Sequence, residues 1–321
     1  MKKNNKIFIT GHNGMVGSAF YRELKNTGYK NLVTKNRMQL DLKNTKSCEV
    51  FFKKNKFDVV ILAAAVVGGI HANNDEPVKF ILDNLRIQNN IIEYSYKYKV
   101  KKLLFVGSSC IYPKTLKQKI KESDMLSSYL EKTNEPYAIA KISGLKLCES
   151  FNREFKTDFR SIIPCNLYGP NDNYDLSGGH VFAALIKKFY LVKKKRQKNI
   201  VLWGSGKPKR EFMHVDDMAK ASIEILKLSK KKYNKYTEPQ MSHINVGTGK
   251  DVTILNLAKK IAKAYELKDL KVIFDKTKPD GTKRKLMDVS KLMKSTRFKP
   301  KYSLEKGISH TIKSFLNENA N

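Results

Sequence analysis

Short apolar or β-branched runs alternate with longer amphipathic ones through the first half of the chain. Segments 6–10 (KIFIT), 31–34 (NLVT), 58–65 (DVVILAAA), 102–108 (KLLFVGS) and 159–164 (FRSIIP) read as strands. Between them, segments 15–27, 45–55, 76–98 and 137–155 carry apolar residues at helical spacing. Wholly apolar strands joined by crossover helices are buried on both faces, which calls for a parallel sheet. The pattern predicts an α/β fold with a doubly wound parallel sheet of the Rossmann type.

After NLYGP (166–170) the rhythm changes. A polar loop at 171–179 precedes a basic helix at 180–195, then a strand at 199–203 and the turn GSGKP. A helix begins at DDMAKASIEILKL, followed by a strand at 243–249, a helix at 253–265, a strand at 271–274 and a last helix at 304–317. This predicts a smaller α/β substrate-binding domain. Residues 1–170 plus about 211–248 would form the cofactor domain, with 211–230 and 243–248 returning to the large sheet. The smaller domain would take about 171–210 plus 249–321.

Charge alters the picture only a little. The formal net charge of the 321 residues is +33, but lysine is scattered along the whole sequence. No aromatic-interleaved basic motif accompanies it, so an anionic small molecule is expected as partner and nucleic acid is not. No apolar run reaches the ~20 residues that cross a bilayer. The N-terminal apolar run ends too soon for a signal peptide, so no membrane insertion and a cytoplasmic location are expected. Cys48, Cys110, Cys148 and Cys165 show no metal-ligand spacing and are expected as free thiols without a metal.

Chemistry enters at two places. FITGHNGMVGS sets Gly11, Gly14 and Gly17 between a strand and a helix. Glycines there permit a tight turn and let the backbone approach a pyrophosphate at the helix N-terminus. With them, His12, Asn13, Met15 and Val16 complete the candidate loop. The second strand then ends in Lys35 and Arg37, where a carboxylate would repel a 2′-phosphate. These cations predict NADPH rather than NADH. Asp41 and Leu42 beyond them, and Ala64 at the end of the third strand, are expected on the same surface. Farther along, Tyr137 and Lys141 share a helix face at i,i+4. An ammonium beside a phenol lowers its pKa, which suits proton transfer, and Ser108 or Ser109 at a strand end can bind the same oxygen.

The motifs TGHNGMVGS, VGSSCIYPK, NEPYAIAK, NLYGPND, WGSG, REFMHVDDMA, INVGTG and KPDGTKRKLMDVS together resemble those of the extended short-chain dehydrogenase/reductases. Within that family they are most similar to the GDP-L-fucose synthase group, 3,5-epimerase/4-reductases of GDP-4-keto-6-deoxy-D-mannose. The resemblance implies a GDP-4-keto-sugar substrate, NADPH and a homodimer built on helices 76–98 and 137–155. It casts Cys110 as the base and His180 as the acid of epimerisation, with His180 also beside the cofactor. Ser108, Tyr137 and Lys141 would serve the reduction. Pro164, Asn166 and Leu167 would border the nicotinamide, and Lys188, Trp203, Arg210, Asp280 and Lys285 the GDP-sugar. Two features depart from the group: Asn13 stands where arginine is common, and the neighbours of His180 are atypical. A related substrate such as a GDP-4-keto-heptose, or loss of one of the two activities, is the alternative. A 4,6-dehydratase is disfavoured, because GSSCIY lacks an Asp-Glu pair.

Overall fold

The structure is a computed structural model that describes residues 1–114, 118–176, 179–278 and 280–318. Pro279 of the motif KPDGTKRKLMDVS, and Ser177 and Gly178 of the polar loop before His180, lie outside the described residues.

The amino-terminal half builds the expected sheet. Its elements run β1 (Ile7–Ile9), α1 (Met15–Asn26), β2 (Leu32–Thr34), α2 (Thr45–Lys54), β3 (Val59–Leu62), α3 (Ile70–Asp75), α4 (Pro77–Lys97), β4 (Lys102–Val106), α5 (Glu135–Phe155) and β5 (Phe159–Pro164). Next come β6 (Asn166–Tyr168), α6 (Val181–Lys194), β7 (Asn199–Trp203), β8 (Lys209–His214), α7 (Val215–Lys227), α8 (Lys230–Lys235) and β9 (His243–Val246). Six strands pair in the order β2-β1-β3-β4-β5-β9, all parallel. Every residue of β1, β3 and β5 is buried, which is why their sequences show no alternation. Winding reverses between β1 and β3, so their carboxyl ends border the crevice where such sheets bind ligands.

The rest of the chain adds β10 (Asp251–Thr253), α9 (Ile254–Ala264), β11 (Lys271–Asp275), β12 (Arg284–Lys285), α10 (Ser290–Ser295) and α11 (Leu304–Glu318). Here one expectation is corrected. Strand β8 does not return to the large sheet; it pairs with β6, β10 and β12 in a separate small one. Within segment 211–230 it is α7 that packs on the large domain, and β9 alone of the late strands joins its sheet. The apolar residues fall into two cores. One holds Ile7, Phe105, Ile162 and Ile244, the other Phe182, Phe189, Leu257 and Phe315.

Polar hubs tie the pieces together. The Glu211 carboxylate is fully buried and accepts backbone N–H bonds from Thr248 (2.6 Å), Gly249 (2.6 Å) and Met287 (2.8 Å). Asn245 donates its backbone N–H to Glu122, accepts from the Tyr112 hydroxyl at 2.6 Å and donates to the Ile120 and Asp288 carbonyls. These bonds hold the segment carrying Lys285 against the loop carrying Cys110. At the start of α7, His214 Nδ1 accepts from Asp216 N–H, so its Nε2 proton points to His310 Nδ1 at 3.1 Å. Burial lowers the His214 pKa to about 4, which keeps it neutral, and Asp216 is committed to Arg22 at 2.6 Å.

Candidate active site

The first loop closes so tightly that only glycine fits. Gly11 has φ +68°, and a Cβ there would lie 2.8 Å from Ala64 Cα. A Cβ on Gly17 would lie 2.1 Å from the Gly11 carbonyl oxygen. Gly14 is different: its nearest atom is 3.6 Å away, so this side of the turn is open to a ligand. Thr10 Oγ1 accepts N–H bonds from Ala63 (3.1 Å) and Ala64 (2.9 Å), locking the loop to the end of β3. The turn and the α1 N-terminus therefore form a cradle of the shape and polarity that a pyrophosphate needs. Gly17→Ala should lower stability by about 1–3 kcal/mol or more, because backbone must move to admit the methyl. Thermal melting measures this; an unchanged Tm would mean that the loop is looser than described.

Lys35 is half-buried and Arg37 exposed, with Arg37 Nε 3.9 Å from Asp41 Oδ2. Among the described residues no carboxylate lies closer to either cation, leaving both open to a phosphate. His12, Met15 and Val16 are half-buried and Asn13 exposed. The Leu42 carbonyl accepts from Asn90 at 2.9 Å. Pro164 ends β5, and Asn166 and Leu167 follow in β6, with Asn166 donating to the Glu211 carbonyl.

Four of the five predicted catalytic residues converge. Ser108 ends the β4 loop and caps the turn Ser109–Ile111, accepting from Cys110 N–H at 3.4 Å. The Cys110 thiol and the Tyr137 phenol both lie near its hydroxyl, which acts to lower the pKa of each. This selects Ser108 over Ser109, which is buried inside the turn. Tyr137 and Lys141 lie one turn apart on α5, with Lys141 Nζ 5.8 Å from the Tyr137 ring centre. Lys141 donates to the Val106 carbonyl at 3.0 Å, and burial lowers its pKa to about 8, so it remains mostly a cation at neutral pH.

The expected lowering of the phenol pKa does not occur. Burial raises it, the Cys110 charge raises it further, and the Ser108 bond opposes both only partly. At this separation the ammonium loses to desolvation. The phenol keeps its proton, which is the form a proton donor needs. Burial likewise raises the Cys110 pKa, against the Ser108 hydrogen bond and the charges of Lys285 and Lys141.

His180 lies on a different element from this group. It occupies the N-cap position of α6, and among the described residues no hydrogen bond joins its ring to Ser108, Cys110 or Tyr137. Its ring reaches solvent, yet neighbouring atoms desolvate it enough to lower its pKa. Burial also lowers the Arg210 pKa. Arg210 donates to the carbonyls of Lys209 and Thr282 and pairs in register with Lys285. Asp280 binds Ser205 through both backbone and hydroxyl (2.8 and 2.6 Å), so here it shapes the GSG turn. Trp203 is 58% exposed, with Lys188 Nζ 5.9 Å and Lys278 Nζ 5.7 Å from its ring centre.

One residue escaped the sequence reading. Asn134 lines a cavity of about 30 Å³ beside Cys110 and Lys285, and its buried Oδ1 has no hydrogen-bond partner. Its place in NEPYAIAK, three residues before Tyr137, was the available signal. A larger cleft of about 760 Å³, lined by Arg153, Lys156, Tyr233 and Ser242 among others, holds none of the predicted residues.

Comparison with known proteins fits this geometry. The sequence profile of the NAD dependent epimerase/dehydratase family matches residues 7–247. The chain belongs to that family. GDP-L-fucose synthase of Escherichia coli (strain K12) is 50% identical over 311 residues, covering 97% of this chain and 96% of that protein. Among solved structures, a GDP-6-OMe-4-keto-L-xylo-heptose reductase from C. jejuni superposes with TM-score 0.92 at 34% identity, covering 99% of each chain. A GDP-L-fucose synthetase from Naegleria fowleri bound to NADP gives TM-score 0.88 at 27% identity, covering 100% of this chain and 95% of that one. The epimerase/dehydratase membership bears out the resemblance read from the motifs, and the doubly wound sheet is the fold shared with these structures.

Proposed function

We propose that this family member is an NADPH-dependent 3,5-epimerase and 4-reductase of a GDP-4-keto-6-deoxy-mannose-type sugar, giving GDP-L-fucose. One observation carries the reading: the Cys110 thiol lies beside the same Ser108 hydroxyl as the Tyr137 phenol, with the Cys110 N–H bonded to that hydroxyl. A reductase needs the serine, tyrosine and lysine alone. A thiol beside that group adds a base for the carbon next to the ketone. The identity with a GDP-L-fucose synthase over nearly the whole chain supports the same reading.

In this mechanism the Cys110 thiolate takes a proton from carbon next to the ketone, leaving an enolate. His180 returns a proton to the opposite face, inverting the centre. Ser108 hydrogen-bonds the ketone oxygen. NADPH, which the Gly11–Gly17 loop, Lys35 and Arg37 would hold, would supply the hydride for C4. Tyr137 gives its proton to the C4 oxygen, and Lys141 supports the phenol and would hold the cofactor ribose. Lys188, Trp203, Arg210, Asp280 and Lys285 form the GDP-sugar side, the cations facing the diphosphate.

Lys35 and Arg37 supply the preference for NADPH. Charge-assisted contacts to a 2′-phosphate are worth roughly 1.5–3 kcal/mol, at least about tenfold in kcat/KM. Equal kcat/KM for NADPH and NADH would overturn that assignment. The likeness to the heptose reductase favours a second reading, a GDP-4-keto-heptose substrate. Comparing kcat/KM for the 6-deoxyhexose and heptose ketones decides between them, and the first reading requires the 6-deoxyhexose to win.

The two cores support the two-domain division, now with β8 on the substrate side. Exposed Val78 and Leu82 on α4 and Ile139 on α5 support a homodimer through these helices. No helix among the described residues is long and apolar enough to cross a membrane. The free buried thiols of Cys48, Cys110, Cys148 and Cys165 suit the cytoplasm.

A further inference from the structure

Three cations line the small cavity beside Cys110, and two of them are already neutralised. Lys114 Nζ lies 2.9 Å from Glu131 Oε2, and Arg284 Nε lies 2.5 Å from Asp251 Oδ2. Lys285 is the third, and among the described residues it stands in no ion pair. Its place is fixed on both sides. It pairs in register with Arg210 on β8, and Met287, two residues on, is pinned by the buried Glu211 carboxylate. Ile120, on the cavity wall, donates its N–H to the Leu286 carbonyl at 2.8 Å.

We propose that Lys285 activates Cys110, its ammonium stabilising the thiolate that removes the proton beside the ketone. This rests on reading Cys110 as the base and gives Lys285 a task separate from holding a phosphate.

The chemistry requires such a cation. A thiol of ordinary pKa, ~8.5, is only a few per cent thiolate at neutral pH, and burial pushes Cys110 higher still. The groups that oppose burial are the Ser108 hydroxyl, then Lys285, then Lys141. Of the two cations Lys141 is the weaker influence and is committed to the Val106 carbonyl. Lys285 is itself lowered by burial and by Arg210, and raised by Cys110 and Glu131. Thiolate and ammonium together are neutral, so the pair is cheaper to bury than either charge alone. In the reaction the C–H proton moves to sulfur, the carbon's electron pair passes into the enolate, and Lys285 keeps its charge.

The test uses the full chain without substrate, so phosphate binding does not enter. Iodoacetamide modifies the enzyme from about pH 7 to about pH 11, a window reaching above the usual thiol range of ~8.5 because burial raises the Cys110 midpoint. Peptide mass mapping then follows Cys110 apart from Cys48, Cys148 and Cys165, whose pKa values burial also raises. In Lys285→Met the midpoint for Cys110 should rise by at least about one unit, making modification near pH 7 about tenfold slower. Lys285→Arg should keep most of the wild-type profile, and Lys114→Met, which removes a paired cation, should shift it much less. Lys285→Gln repeats the test should the methionine variant not melt cooperatively. An unchanged profile in folded Lys285→Met or Lys285→Gln, or an equal shift in Lys114→Met, overturns the proposal. Failure of the base assignment shows separately, as solvent exchange that survives in Cys110→Ser.

Discussion

Cys110→Ser should reduce solvent-deuterium exchange beside the ketone by at least ~100-fold, a typical contribution of acid–base catalysis, while NADPH is still oxidised. The alcohol is far too weak an acid to supply a conjugate base near neutral pH. Serine is slightly smaller than cysteine, and the Cys110 backbone N–H that bonds Ser108 is retained, so the turn should survive. The reducing group of Ser108, Tyr137 and Lys141 keeps its own contacts, including Lys141 to the Val106 carbonyl. The mutant should therefore yield an unepimerised 6-deoxy sugar such as GDP-rhamnose. NMR of the product formed in D2O reads the outcome. A fully epimerised, deuterated product at the wild-type rate would leave Cys110 with packing alone.

Tyr137→Phe should give the complementary loss. Removing the phenol takes away the proton that the C4 oxygen receives, so reduction should fall by about 10²–10⁴-fold. The ring remains, with its edge-on contact to Phe80 at 6.3 Å, so α5 should stay in place. Cys110 keeps its backbone N–H bond to Ser108. Deuterium should thus continue to enter the ketosugar, at least in part, while NADPH consumption nearly stops. Normal NADPH oxidation by this variant would mean that the donor is another group. The two substitutions together separate the activities in opposite directions, which a merely destabilised site would not do.

Much of this was legible in the chain. The strands of the large sheet announced themselves as apolar runs because both faces are covered. The Gly11–Gly17 loop was legible because its spacing answers a steric demand, now visible as the 2.1 Å approach at Gly17. Tyr137 and Lys141 were legible because helix geometry fixes the i,i+4 relation. What sequence could not give depends on tertiary environment. The direction of the Tyr137 pKa depends on burial, which no local pattern encodes. Strand β8, KREFMH, has only two apolar residues and no alternation to place it in either sheet, and its membership is decided by pairing with β6, β10 and β12. Strand β12 is two charged residues long, and only its pairing with Lys209 and Arg210 of β8 makes it a strand. Glu211 sits beside a predicted substrate residue, but its task of tying three backbone segments together appears only once they meet.

The most direct test of the central claim is a single incubation of the wild-type enzyme with GDP-4-keto-6-deoxy-mannose and NADPH in D2O, followed by NMR of the product. The account predicts GDP-L-fucose carrying deuterium at C3 and C5, with one NADPH consumed per sugar. A reduced sugar without deuterium and without inversion would contradict the epimerase assignment, and deuterated ketosugar with no NADPH consumed would contradict the reductase.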